Sequence, residues 1–395
     1  WSTFKATFLG NANSTVTNGS FYDLTLVKSG YSLTLTNTCY VSRDLLVTTI
    51  GSSSGSNIEV ARNITLNSTN LIGSNKIIAN GTSNQTVSGT GSCGLNFEIN
   101  KSSGTLSFTS NVAFERDYTL TAGTVDWGTY TATFKNNWNS VITNGLFYDL
   151  TINKGTYNTT FTNVCTVNRN LLISGMSTVS GSNIELKGDV TFNSSNYAGS
   201  VVFVINGTAN QNISGTGGCP ASFQVNKSSG VVNIGSNLLF YNSYTITSGA
   251  VNWNTYKATF SGGVHSTITN ASFYDLEIFK TAYNLTIATI DIVVSHDLTL
   301  NTTTNINGLN IYFGNSLICT GAVTGGSSKI LPASTGNQST SGTASVGVIL
   351  EINKASGQID LGANYTGSNT STSSINLIAG TVNQNAYTIT ISKDM

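Results

Sequence analysis

The sequence predicts an all-β chain wound as a parallel β-solenoid, and three observations carry that prediction. Short segments alternating apolar with polar residues recur along the chain, centred near Leu24, Leu45, Thr65, Ile78, Phe97 and Leu120 in its first third. Each is bounded by Gly, Asn or Ser, the residues that end strands and turn corners. The chain also repeats itself: Trp1, Trp127 and Trp253 open the related stretches WSTFKATF, WGTYTATF and WNTYKATF. No segment shows the 3.6-residue apolar period of an amphipathic helix, while Tyr, Phe, Thr, Val and Ile favour strands.

Taken in order, residues 1–126 form the first repeat and 127–252 the second. In both, Phe-Tyr-Asp-Leu (Phe21, Phe147) is followed in register by GSNIE, NGT, SGTG and NKSSG. Residues 253–383 form a divergent third repeat, which keeps Phe-Tyr-Asp-Leu at Phe273 and INKASG at Ile352. Residues 384–395 read as the first strand of an incomplete fourth repeat, with Gln384 where Trp127 stands. A weaker period lies inside each repeat, since Asp23–Gly30 resembles Asn96–Gly104. A strand–corner–strand unit of about 20 residues is what a solenoid coil requires.

Three tandem antiparallel β-sandwiches are the competing architecture. The length of one repeat suits such a domain. Asn-Gly pairs at Asn18, Asn80, Asn144 and Asn206 are strong hairpin turns, although the same residues suit the left-handed corners of a solenoid. The inner period, and the absence of linker-like composition between repeats, favour the solenoid.

Composition narrows function by exclusion. Charged residues are only 9% of 395, and 17 basic residues balance 17 acidic ones. That leaves no basic footprint for nucleic acid or an anionic membrane surface. No run reaches the roughly 20 apolar residues of a membrane span. Low charge and only two Pro also argue against disorder.

The motifs FYDLTINKG at Phe147, NGTANQNISGTGG at Asn206 and VNKSSGVVNIGSNLLFYNSYTITSGAVNW at Val225 resemble repeats of secreted microbial β-helix surface proteins of adhesin or filament type. The resemblance spans nearly the whole chain. Its motifs are structural, so it implies fold and location and carries over no catalytic residue.

Candidate sites are few. Cys39 and Cys93 recur as Cys165 and Cys219, and the third repeat lacks both. Their joint loss predicts Cys39–Cys93 and Cys165–Cys219 disulfides and an oxidising compartment. The objection is geometric, because 54 residues span more than two coils and a disulfide tolerates a Cα separation of only about 7 Å. His265 and His296 stand in the third repeat, with Arg43 and Arg169 at the position of His296 in the others. The Asp of Phe-Tyr-Asp-Leu (Asp23, Asp149, Asp275) occurs once per repeat, which fits a turn cap better than a unique active site. No catalytic, cofactor-binding or metal-ligating set is expected. Sequons kept in register at Asn67/Asn193, Asn80/Asn206 and Asn100/Asn226 are glycosylation candidates, against the alternative that these amides bond from coil to coil.

The function expected is that of a non-enzymatic extracellular structural protein, a rigid rod serving as a self-assembling surface filament subunit or adhesin stalk. Its partners would be further copies of itself, covalent N-glycans, and a surface or carbohydrate target. Because first and last strands match in phase, Trp1, Phe4 and Tyr387 are assembly candidates. The alternative is a carbohydrate-binding or carbohydrate-cleaving β-helix.

Overall fold

The computed structural model describes residues 3–69, 71–135, 138–194, 198–219, 221–280, 282–301, 305–321, 326–342, 348–367 and 375–391, with side chains described except at 365–367 and 390–391. The described residues are 62% strand and contain no helix. Their strands stack as a parallel β-solenoid. Contacts divide the chain into two compact bodies, Trp1–Val201 and Val202–Met395.

In the first body the strand Lys5–Leu9 pairs with the start of Asp23–Leu35, which in turn pairs with Leu45–Gly55, each pairing parallel. Alternation explains the arrangement. Along Ile58–Val60 and Ile64–Leu66 the odd and even positions read buried, half-buried, buried, so one side of each strand fills the interior. Parallel stacking then sets like residue on like, as in the ladder Leu24, Leu45, Ile64, Val87, Phe108. Parallel pairing also removes the sandwich alternative and the hairpin reading of the Asn-Gly pairs. Asn18 and Asn144 instead turn corners at φ of 51° and 52°, in the left-handed region that Asn tolerates.

The repeat does not close on a whole number of turns. Leu26 lies on the ladder of Val47 and Leu66. Its counterpart one repeat later, Ile152, lies instead on the ladder of Phe134, Phe114 and Cys93. Successive repeats therefore present the same motif on successive faces of the coil.

The interior is aromatic near the start of each later repeat. In the first body the rings of Phe108 and Trp127 stack with centroids 3.6 Å apart, and Phe114, Phe134 and Phe147 pack around them. In the second body Phe240, Trp253, Phe260 and Phe273 repeat the cluster. Trp127 and Trp253 are buried, so these two tryptophans are core residues.

The disulfide expectation fails. Cys39, Cys93, Cys165, Cys219 and Cys319 are all buried free thiols. From Cys39 the ladder climbs through Ile58 and Ile77 to Phe97, and Cys93 sits in the strand just before Phe97. Three coil steps at about 4.8 Å put roughly 14 Å of rise between the levels of Cys39 and Phe97. A disulfide reaches about half that. Each of these thiols is a small apolar filler of the interior.

Candidate functional site

The polar constellations that recur most regularly are six buried lysines. Lys28, Lys101, Lys154, Lys227, Lys280 and Lys354 all fall in the Lys of the inner motif, and each is at most 4% exposed. Three of them form one kind of cradle. Lys101 Nζ donates to the carbonyls of Gly81 and Ser83 (2.9 Å to Ser83) and to Gln85 Oε1 at 2.7 Å. Lys227 donates to Gly207, Ala209 (2.8 Å) and Gln211 Oε1 (2.6 Å). Lys354 donates to Ser334 (2.6 Å), Gly336 (2.9 Å) and Gln338 Oε1 (2.6 Å). The glutamine amides are themselves anchored: Gln85 Nε2 donates to Val60 and Arg62 carbonyls at 2.8 and 2.7 Å.

Of the other three, two hold a serine hydroxyl one coil back. Lys28 reaches Ser14 Oγ at 2.9 Å, and Lys154 reaches Ser140 Oγ at 2.7 Å along with the carbonyls of Glu115 and Lys135. Lys280 donates to the carbonyls of Ser261 and Val264, both at 2.9 Å. At Lys101, Lys154, Lys227, Lys280 and Lys354 the ammonium closes a corner whose carbonyls point inward and away from water. Burial drives the Lys154 and Lys280 amines down to about 8, and it lowers Lys101, Lys227 and Lys354 as well.

The Asp of Phe-Tyr-Asp-Leu caps a corner, as its recurrence predicted. Asp23 Oδ1 accepts the Asp44 N–H at 3.1 Å, Asp149 Oδ1 the Asn170 N–H at 2.9 Å, and Asp275 Oδ1 the Asp297 N–H at 2.9 Å. In the first two repeats an arginine on the next coil grips both carboxylate oxygens, Arg43 on Asp23 and Arg169 on Asp149. Each guanidinium also lies 4.6 Å from the centroid of the preceding tyrosine ring, Tyr22 or Tyr148. The Arg43 guanidinium holds the Asp23 carboxyl below its usual range. In the third repeat His296 takes the arginine's place, its ring stacked on Tyr274 at 4.9 Å.

Amides join the coils elsewhere. Asn84, Asn210 and Asn337 accept the N–H groups of Thr105 (3.0 Å), Val231 (2.9 Å) and Gln358 (3.2 Å) one coil on. Of the sequon residues, Asn67, Asn100, Asn193 and Asn226 are exposed, while Asn80 and Asn206 are half-buried. Asn80 commits its amide N–H to Glu59 at 2.7 Å, and Asn67 Oδ1 accepts the Thr90 N–H at 3.2 Å. Both thus join neighbouring coils. Phe4 and Tyr387 are exposed, at 68% and 39%, and Trp1 lies outside the described residues. His265 is exposed and its Nδ1 accepts the Asn284 N–H at 3.1 Å.

One surface hollow of about 380 Å³ lies against Asn18, Ser20, Asn37, Tyr40 and Ser56. Tyr40 is 53% exposed beside it, and Asn37 Nδ2 donates to Asn18 Oδ1 at 2.5 Å.

The lysines escaped the reading of the sequence, although NKSSG was in plain view. A lone Lys in a polar turn reads as solvated, and only its recurrence beside Gln85, Gln211 and Gln338 signals burial. The fold and these repeated corners define the chain as a β-solenoid. No family, no curated protein and no solved structure matches it.

Proposed function

We propose that the chain is a non-enzymatic structural protein, a self-assembling filament subunit or adhesin stalk at the cell surface. One observation carries the reading: the buried polar groups recur in register from repeat to repeat and bond inward to the backbone. Lys101, Lys227 and Lys354 direct their donors to corner carbonyls and a glutamine amide oxygen, and Asp23 and Asp149 accept from a guanidinium and an N–H. Groups so committed hold coils together and leave little to attack a substrate.

Assembly draws on exposed apolar side chains at the first described strand and at the last strand but one. Phe4 and Leu9 are 68% and 66% exposed beside Lys5–Leu9, and Leu377 and Ile378 are 55% and 56% exposed on Ile375–Asn383. Strand edges with such neighbours template pairing with another copy, and a head-to-tail contact extends without closing. Export rests on the exposed sequons Asn67, Asn100, Asn193 and Asn226, since the free thiols withdraw the disulfide argument. Sedimentation of the full chain over a rising concentration series tests assembly. Growth in mass that Phe4→Asp or Leu377→Asp abolishes supports it, and a constant monomer mass opposes it.

A second reading, carbohydrate binding, is favoured by the hollow at Tyr40, where an exposed ring adjoins amide and hydroxyl groups. Loss of binding to an immobilised glycan array on Tyr40→Ala supports it, and an array with no bound glycan opposes it.

A further inference from the structure

One corner of the second body breaks the repeated pattern. In the first two repeats the capping carboxylate meets a permanent cation: Asp23 meets Arg43 and Asp149 meets Arg169. In the third, Asp275 meets His296, and a second carboxylate, Asp297, stands where the first repeat has Asp44 and the second the neutral Asn170. Exchange of a guanidinium for an imidazole removes the fixed positive charge while two carboxylates remain.

The geometry that replaces it is that of a ligand set. His296 Nδ1 lies 2.8 Å from Asp275 Oδ1 and 3.5 Å from Asp297 Oδ2. One ligand atom from each of the three residues lies within 4.8 Å of the other two. Donors bound tetrahedrally at about 2.0–2.1 Å from one ion stand roughly 3.3 Å apart, so the cluster needs little movement to close on a cation. Asp275 Oδ2 is the oxygen that in the other repeats receives the second arginine N–H, and among the described residues no donor reaches it.

The surroundings hold these groups in place. The Asp297 N–H on Asp275 Oδ1 fixes one carboxylate, and the Ser316 N–H (3.0 Å) and Asn315 Nδ2 (2.8 Å) on Asp297 Oδ1 fix the other. Tyr274 covers one face of the imidazole, and the Asn315 amide lies 3.2 Å from its Nε2. The side chains of His296, Asp275 and Asp297 are 39%, 24% and 27% exposed, which leaves an open side for water ligands.

We propose that Asp275, His296 and Asp297 bind one divalent cation of the zinc class, taking the place of the arginine as the clip between adjacent coils. Imidazole with carboxylates suits such borderline ions, and solvent completes the shell.

The test is calorimetric titration of the chelator-stripped full chain with zinc chloride. One site per chain is expected. His296→Arg restores the pair of the other repeats and is expected to weaken zinc binding at least 10-fold, while Asp297→Asn, which copies Asn170, weakens it about as much. His265→Ala leaves it unchanged, and zinc raises the melting temperature of the wild type but not of His296→Arg. Should His296→Arg fail to fold, Asp297→Asn gives the same reading. A wild type that takes up no zinc, or an Asp297→Asn chain that binds like the wild type, overturns the proposal.

Discussion

Lys101 and Gln85 lie 16 residues apart and meet inside the coil at 2.7 Å, the ammonium donating to an amide oxygen whose own N–H groups reach back to the previous coil. Three successive coils are joined through one buried cation. The same pair returns as Lys227 with Gln211 and as Lys354 with Gln338, both at 2.6 Å. Replacing Lys101 by Met keeps the volume and leaves the Gly81 and Ser83 carbonyls buried without a donor. The expected loss is about 2–4 kcal/mol, read by chemical denaturation. Unchanged stability would mean that the ammonium is dispensable.

Alkaline pH sets buried thiols against buried amines. Burial raises Cys39 to about 11 and Cys93 and Cys319 to about 12, from an ordinary 9.0. The stability these thiols contribute is whole below pH 9 and is lost as pH climbs through 11 to 12. Lys154 and Lys280 move the other way, from 10.5 to about 8. The unfolded chain keeps those protons between pH 8 and 10.5 while the folded chain gives them up, so these groups add stability across that window. The melting temperature is expected to rise from pH 7.5 to about 9 and to fall beyond it. Lys154→Met should flatten the rise.

Free buried thiols make a simple chemical prediction. An aromatic disulfide reagent should label none of the five cysteines in the native chain and all five in denaturant, and reductant should leave the melting temperature unchanged. Fewer than five labelled in denaturant would restore a disulfide.

The Asp149–Arg169 corner has its arginine half-exposed and its carboxylate nearly buried, with side chains 47% and 9% exposed. Asp149→Ala removes the acceptor of the Asn170 N–H as well as the ion pair, and should lower the melting temperature by about 2–4 °C. Arg169→Leu removes only the ion pair, so its effect should be smaller and should vanish in high salt. Equal effects would assign the corner to charge alone.

Architecture was legible because a solenoid writes its coil into the sequence: alternation gives the strands, and the spacing of Trp1, Trp127 and Trp253 gives the repeat. The corner role of Asp23, Asp149 and Asp275 followed from recurrence and is borne out by the N–H groups they accept. The cysteines misled because paired loss across repeats fits small interior fillers as well as a bond. Only the ladder from Cys39 through Ile58 and Ile77 separates the two. The drift of motifs from face to face was illegible, since pairing register, not spacing, decides which ladder Ile152 joins. The cluster at His296 was hidden for the same reason: Asp275 is distant in sequence and adjacent only through the stack.

The central claim is that repeated inward-facing corners make this chain a structural element that extends by contact with its own copies. Electron microscopy of the concentrated full chain tests it most directly. The account predicts unbranched filaments whose diffraction carries the strand spacing of about 4.8 Å along the fibre axis. A field of isolated particles at every concentration, with both termini intact, would contradict it.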